Sequence, residues 1–150
     1  MASETPSVEG FEIGAQYQRT ALHNGYGGNR YITVAPCADH PYVFLFTKPA
    51  REGWGHEFRG NTFLFTGQGS TGDMEMSGGN EAIRDHQQDG RQLHAFDTHD
   101  DGEMVTYLGQ FEYVDHSWTE LPDTEGNERE AIRFKLEPAA QVGTVEWIDV

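Results

Sequence analysis

The feature that most constrains the fold is a series of short strand-like segments separated by turn signals. Runs rich in aromatic and β-branched residues predict strands, and they cover residues 31–35, 42–47, 62–66, 103–114, 131–136 and 144–148. Turn-forming stretches lie between several of these runs, at residues 25–29, 48–55, 67–72 and 122–127. Many short strands of this kind favour a mixed, mostly antiparallel barrel or curled sheet.

Two segments predict helices. Asn80 is suited to cap the start of one helix and Gly90 to end it. A second, shorter helix is predicted over residues 14–23. We therefore expect one α+β, mostly β domain over residues 11–150, after a flexible segment at residues 1–10. The sequence has neither a membrane-spanning apolar run nor a secretory signal, so a cytoplasmic protein is expected.

The chain is strongly acidic, with 25 acidic and 10 basic residues and a formal net charge of −15. Only Lys48 and Lys135 are lysines, a composition typical of halophilic proteins, although an ordinary acidic protein can share it. Such a charge disfavours nucleic-acid binding, but its distribution is uneven. Residues 16–66 contain five basic and three acidic side chains (net +2), whereas residues 92–150 contain three basic and fourteen acidic ones (net −11).

Metal and nucleophile signals are weak. Cys37 is the single cysteine, and the seven histidines form neither an HxH nor an HExxH motif. One segment is suited either to a hard metal ion or to a solvated acidic loop, and it contains His94, Asp97, His99, Asp100 and Asp101. From these patterns we predict no metal, no cofactor and no catalytic residue.

The segment TFLFTGQGSTGD at residues 62–73 ends a predicted strand in a glycine-rich loop. Alternation places Phe63 and Phe65 on one face of the strand, where a core role is the simplest interpretation. Trp54 differs because it lies between two glycines and next to His56 and Glu57. A flat ring on a flexible turn, beside a hydrogen-bonding side chain, suits a pocket for a planar heterocycle.

Five motifs resemble those of the SRA (SET- and RING-associated) domain, in the form found before HNH nuclease domains of modification-dependent restriction endonucleases. They are LHNGYGGNR at 22–30, HPYVFLFT at 40–47, GNTFLFTGQGSTGDM at 60–74, GNEAIRDHQQDGRQLHAF at 79–96 and VTYLGQF at 105–111. The fourth is the most specific, with its asparagine, helix and Leu-His-x-Phe strand. The resemblance covers about residues 11–115.

The resemblance implies a PUA-like, SRA-type curled β-barrel that binds double-stranded DNA containing 5-methylcytosine or 5-hydroxymethylcytosine. Such domains rotate the modified base out of the helix and hold it between two aromatic rings. Matched to this sequence, Phe65 and Trp54 are the two rings, and Thr66 contacts the base. Glu57, with His56 as the neighbouring candidate, would read the Watson–Crick edge, because an acid accepts a hydrogen bond from the cytosine amino group.

The resemblance and the glycine-rich turns also suggest contacts to the DNA backbone. The candidate residues are Tyr26, Gly28, Asn29, Arg30, Arg59, Gly67, Ser70, Ser77, Asn80 and Arg84. Phenylalanine at 65, tryptophan at 54 and the lack of the usual aspartate depart from the family pattern, which leaves the preferred modification open. The turn at 25–28 also fits an ordinary turn.

The sequence therefore predicts a recognition domain without catalytic activity, whose partner is modified duplex DNA and, in the native context, an HNH nuclease domain. The alternative is a PUA-like barrel that binds modified RNA, or a small ligand or metal around Trp54, His56 and Glu57.

Overall fold

The computed structural model describes residues 11–29, 32–37, 40–47, 56–99 and 102–139. Eight strands and two helices lie in these ranges. In chain order they are β1 (Gln16–Gln18), α1 (Arg19–Tyr26), β2 (Val34–Pro36), β3 (Tyr42–Thr47), β4 (His56–Arg59), β5 (Thr62–Thr66), α2 (Gly79–Arg84), β6 (Gln92–Thr98), β7 (Met104–Pro122) and β8 (Glu128–Pro138). Within the same ranges, neither helix is long and apolar enough to cross a membrane.

All the described strands belong to one curled sheet. Its order is β2-β3-β6-β7-β8-β5-β4, and β1 pairs with the first part of β7. β3 and β6 pair in parallel, whereas the other described ladders are antiparallel, as the sequence predicts. Register shifts at Ala95/Phe96 and at Tyr113/Asp115 interrupt the β6–β7 and β7–β8 ladders, and such bulges increase the local twist of a sheet.

β3 is buried on both faces, which explains its continuous apolar run. Val43 and Leu45 belong to a cluster that also holds Phe65, and we call the sheet face of this cluster the inner face. Phe44 and Phe46 belong to a second cluster on the opposite, outer face, which α1 helps to cover. Because β3 contributes side chains to both clusters, it determines the position of the core on each face of the sheet.

Several predicted boundaries need correction. The helix predicted at 14–23 begins only at Arg19, because Gly14 adopts a φ of 91° in a turn and Gln16–Gln18 pairs with β7. The helix predicted from Asn80 to Gly90 begins at Gly79 and ends at Arg84. The strand predicted at 31–35 is described only as Val34–Pro36, and that predicted at 144–148 lies outside the described residues. The strand patterns in the sequence do not predict β4. They do not predict β6 either, which is expected only from the Leu-His-x-Phe strand of the fourth motif.

His94 is a fully buried polar residue in the centre of the sheet. Its Nδ1 lies 2.8 Å from the Tyr107 hydroxyl, and its Nε2 lies 3.1 Å from Gln92 Oε1. Because Oε1 is an acceptor, Nε2 donates to it, and the Tyr107 hydroxyl donates to Nδ1. Burial lowers the pKa of His94 to about 3, so the folded protein holds a neutral imidazole.

We expect His94 to make folding less favourable in acid. Since its pKa is about 3 in the folded protein and about 6.5 when unfolded, only the unfolded chain binds this proton in between. The free energy of unfolding should therefore fall as the pH falls from 6.5 towards 3, by up to about 1.4 kcal/mol per pH unit. Urea unfolding of the wild type and of His94→Gln at several pH values tests this. The difference in the free energy of unfolding between the two proteins should narrow as the pH falls. Parallel plots of the free energy of unfolding against pH would contradict a lowered pKa for His94.

Candidate nucleic-acid interface

β5 and the loop that follows it form the centre of the candidate site. Phe63 and Phe65 are 0% and 2% exposed on the inner face, and Leu64 is half-buried on the other, so the predicted alternation is confirmed. Thr66 ends the strand opposite Arg133 of β8. The loop at residues 67–78, which we call the 67–78 loop, then leads to α2.

The side chain of Asn80 organises the 67–78 loop. Its Oδ1 accepts a hydrogen bond from the Gln68 amide at 2.8 Å, and its Nδ2 donates to the Gln68 and Glu75 carbonyls at 2.9 Å each. Asn80 is 2% exposed. The predicted helix-cap role of Asn80 is wrong, because Gly78 is the cap and Asn80 lies in the first turn of α2. Its buried carboxamide is already bonded to the loop, and its predicted DNA contact stays a prediction.

Two glycines are needed where the chain passes close to the Asn80 carboxamide and to Val34 of β2. A Cβ on Gly67 would lie 2.8 Å from Asn80 Oδ1, and a Cβ on Gly79 would lie 2.8 Å from the Cβ of Val34. Gln68 adds a further link, since its Oε1 accepts a hydrogen bond from the Val34 amide at 3.0 Å. The loop is thereby joined to β2 as well as to α2.

The hairpin between β7 and β8 holds the other side of the loop. Arg129 donates to the Gly72 and Gly69 carbonyls at 2.8 and 3.1 Å. The Asp123 carboxylate accepts from the Gly72 amide at 3.0 Å, and this bond and others from the backbone lower the pKa of Asp123. The Thr124 amide donates to the Ser70 carbonyl at 2.9 Å. Sequence reasoning missed Asp123 and Arg129, because no local signal connects them to residues more than 50 positions earlier.

The 67–78 loop is therefore anchored rather than freely flexible, and it is anchored mainly through its carbonyl groups. The amide N–H groups of Gly69, Ser70 and Thr71 find no acceptor within the part of the chain that the structure describes. All three residues are exposed. Exposed backbone amides on a fixed loop suit an anionic ligand such as phosphate.

Glu57 lies on a different face from Phe65. In the β4–β5 ladder Glu57 is opposite Leu64, whereas His56 is opposite Phe65, and directly opposed residues share a face. The Glu57 carboxylate contacts Arg59 Nε at 2.9 Å and Arg133 Nη2 at 3.4 Å, and the hydrogen bond from Arg59 is the main cause of its lowered pKa. Glu57 and Phe65 therefore lie on opposite faces of the sheet, and the register favours position 56 over position 57 for a pocket that contains Phe65.

Residues 22–29 of the motif LHNGYGGNR form the end of α1 and the packed segment that follows it. Tyr26 is 5% exposed and its ring belongs to the second cluster, so the residue has a core role, and its predicted DNA contact stays a prediction. His23 Nδ1 lies 2.9 Å from the Gly27 carbonyl, and Arg19 lies 3.7 Å above the Phe46 ring. A Cβ on Gly28 would lie 3.2 Å from the His23 ring, which explains the glycine structurally.

The remaining predicted contacts are spread over the surface. Asn29 accepts a hydrogen bond from Arg19 through its carbonyl. Ser77 is exposed, and Arg84 pairs with Asp85 at 2.7 Å and with Glu81 at 3.7 Å. Trp54 and Arg30 lie outside the described residues, and of His56 only the backbone position is described.

The metal and thiol candidates have ordinary structural roles. Among the described residues no group of histidine, cysteine and acidic side chains is arranged to hold a metal ion. His94 is buried, His99 contacts the Thr106 hydroxyl at 2.6 Å, and Asp100 and Asp101 lie outside the described ranges. Burial raises the pKa of Cys37 to about 12, which keeps the thiol neutral.

The fold is that of SRA domains. The structure of the sulfur binding domain and SRA domain of ScoMcrA with phosphorothioated DNA superposes with a TM-score of 0.69 at 20% identity, covering 93% of this chain and 45% of that one. The structure of the Type IV phosphorothioation-dependent restriction endonuclease ScoMcrA gives 0.68 at 18% identity, with 93% and 32% covered. The SUVH5 SRA–methylated CHH DNA complex gives 0.59 at 17% identity, with 91% and 94% covered.

A family model described as "ScoMcrA-like, SRA domain" matches residues 13–149, and the chain therefore belongs to this family. No curated protein matches the chain. The chain spans less than half the length of the two ScoMcrA chains. The resemblance read from the motifs is thus confirmed at the level of family and fold.

We expect Asn80 to determine the order of the loop. Asn80→Ala should lower the free energy of unfolding by roughly 1–3 kcal/mol, since it leaves buried backbone groups without partners. It should also speed hydrogen exchange at the Gln68 amide, which bonds to Asn80 in the wild type. Ser77→Ala, at an exposed position of the same loop, is the control and should change neither quantity. Unchanged exchange at Gln68 in Asn80→Ala would show that other contacts hold the loop.

Proposed function

We propose that this chain binds double-stranded DNA containing a modified cytosine and holds that base, rotated out of the helix, in an aromatic pocket. The main support is the family match over residues 13–149. Neighbouring SRA structures are described as complexes with methylated and with fully hydroxymethylated DNA. The anchored 67–78 loop directly follows Phe65 and Thr66, at the position where the family motif reads the base.

In this proposal Trp54 and Phe65 stack on the base, Thr66 contacts it, and position 56 reads its edge. Phe65 is 2% exposed, so binding requires the pocket to open before the base can reach the ring. Rearrangement of this kind is common among regulatory interactions. The exposed amides of Gly69, Ser70 and Thr71, a few residues after Thr66, are then available to the DNA phosphates beside the rotated base.

The proposal extends to the native context. One neighbour is described as a restriction endonuclease of which this chain covers 32%. We infer that the chain serves as the recognition part of a modification-dependent restriction system, joined to or acting with an HNH nuclease domain. Its net charge of −15 further supports work in concentrated salt, where screening weakens phosphate contacts and stacking contributes most of the affinity.

A panel of otherwise identical duplexes tests this function. The duplexes carry cytosine, 5-methylcytosine, 5-hydroxymethylcytosine, N6-methyladenine or a phosphorothioate linkage, and binding is followed by fluorescence anisotropy at low salt and near 1 M salt. We expect the two modified cytosines to bind most tightly and the preference to survive high salt. Equal binding to all duplexes would refute the proposal, and selective binding of the phosphorothioate would assign the chain to backbone sulfur. Single-stranded modified RNA serves as the competitor.

Trp54→Ala should remove the preference for the modified base, with a loss of roughly 1–3 kcal/mol, because stacking on a base is worth that much. Trp118→Ala is a matched control, since Trp118 is also a tryptophan, is 46% exposed and lies on β7, which β8 separates from β5. His56→Ala tests position 56 in the same assay and should reduce discrimination between modified cytosine and thymine. If Trp54→Ala folds normally and keeps the preference, Trp54 does not stack on the base.

A further inference from the structure

We propose that the outer face of β4, β5 and β8 binds the DNA sugar–phosphate backbone, with Arg133 and Lys135 as phosphate contacts. This inference rests on the DNA binding proposed above and adds a surface that the motifs do not identify. In the β5–β8 ladder Arg133 is opposite Thr66 and Lys135 is opposite Leu64. Both basic residues therefore lie on the face away from Phe65.

The Thr66 end of this face is its basic end. The face carries Arg59, Arg133 and Lys135, three of the ten basic residues of a chain with a net charge of −15. The acids on the same face are Glu57 on β4 and Glu137 on β8. On β7, Asp115 lies opposite Lys135 and Glu112 lies opposite Glu137. Glu112 and Glu137 lie at the Thr62 end, away from Arg133. The Asp115 carboxylate already accepts a hydrogen bond from the His116 amide at 2.8 Å. The local charge thus favours an anion at the Thr66 end of the face.

Arg133 is a guanidinium with too few partners. Its side chain is only 20% exposed, and within the described part of the chain its one ion pair is the 3.4 Å contact of Nη2 with Glu57. Its buried Nε has no acceptor among the described residues, and burial lowers its pKa. A half-buried cation held by one long contact is poorly compensated. A planar guanidinium is best satisfied by a bidentate acceptor such as phosphate.

Glu57 occupies the place that a phosphate would take. One oxygen of its carboxylate contacts Arg59 Nε at 2.9 Å and the other contacts Arg133 at 3.4 Å. The carboxylate is 41% exposed, so an incoming phosphate can replace it as the partner of either arginine. Glu57 is then an internal competitor for the DNA backbone, and removing its charge should favour binding.

The location fits the proposed base pocket. Arg133 is paired with Thr66, and the Gly67 amide donates to the neighbouring Ile132 carbonyl at 2.8 Å. The exposed amides of the 67–78 loop continue from this point. A nucleotide that straddles the end of β5 would have its base on the inner face and its phosphate on the outer face, against Arg133.

Salt-dependent binding of single variants tests the surface. Arg133→Gln and Lys135→Gln should each weaken binding roughly tenfold, about the loss of one charge-assisted hydrogen bond, and equally on modified and unmodified duplexes. Each should reduce the slope of log K against log salt by about 0.9. Glu57→Gln should tighten binding to both duplexes without changing cytosine/thymine discrimination. Arg91→Gln removes the same charge from the turn before β6 and is the control that should leave binding unchanged.

Other results would overturn the proposal. If Arg133→Gln weakened binding only to the modified duplex, Arg133 would be a residue that reads the base. If Arg91→Gln weakened binding as much as Arg133→Gln does, the loss of affinity would come from net charge and not from this surface. If Arg133→Gln does not fold, Lys135→Gln and Glu57→Gln still test the surface, because both residues are exposed or nearly so. Unchanged DNA affinity in both variants would refute the proposed surface. Failure of the proposed function gives a different result, because the wild type would then show no preference for duplexes with modified cytosine. The slopes of log K against log salt are measured on the unmodified duplex and do not depend on that preference.

Discussion

The carboxamide of Asn80 is the interaction on which the candidate site depends. A loop that crosses the end of a sheet must satisfy its backbone groups without a neighbouring strand. Asn80 supplies an acceptor and two donors to Gln68 and Glu75, and so replaces that strand. An apolar side chain could not do this, and the close approach in turn requires glycine at 67. The site is thus built from one buried polar group and the small residues around it.

Much of the fold could be predicted because its signals are local. Alternation in β5, the apolar run of β3 and the order of the motifs all depend on residues that are neighbours in sequence. The role of Glu57 could not be predicted in this way, because it depends on which residue of β4 lies opposite Phe65. A shift of one residue in register moves a side chain to the other face, and no pattern in four residues fixes that register.

Contacts between distant segments were also beyond sequence reasoning. Asparagine is a residue type typical of helix caps. Only the hydrogen bond from the Gln68 amide shows that the Asn80 side chain points to the loop. Tyr26 lies in a glycine-rich motif that suggests a surface turn, yet its ring packs against Tyr42 and Phe44. In both cases the tertiary surroundings, rather than local propensity, decided the role of the side chain.

The three basic residues of β8 are divided between two tasks. Arg129 has a structural role inside the protein, where it donates hydrogen bonds to the Gly69 and Gly72 carbonyls. Arg133 and Lys135 lie further along the same strand, opposite Thr66 and Leu64 of β5. Five of the fourteen acidic residues at positions 92–150 lie at positions 120–130, at the turn of the β7–β8 hairpin. Net charge therefore says little about the electrostatics of one face.

The anchoring of the 67–78 loop through carbonyls has an evolutionary consequence. Every residue type has the same carbonyl group, so the bonds to Ser70 and Gly72 survive changes in the side chains that the loop displays. Thr71 and the hydroxyl of Ser70 can vary without weakening the scaffold, since both residues are exposed. A domain built in this way can acquire a new ligand preference by drift at its tip, while its folding remains under the control of residues that never meet the ligand.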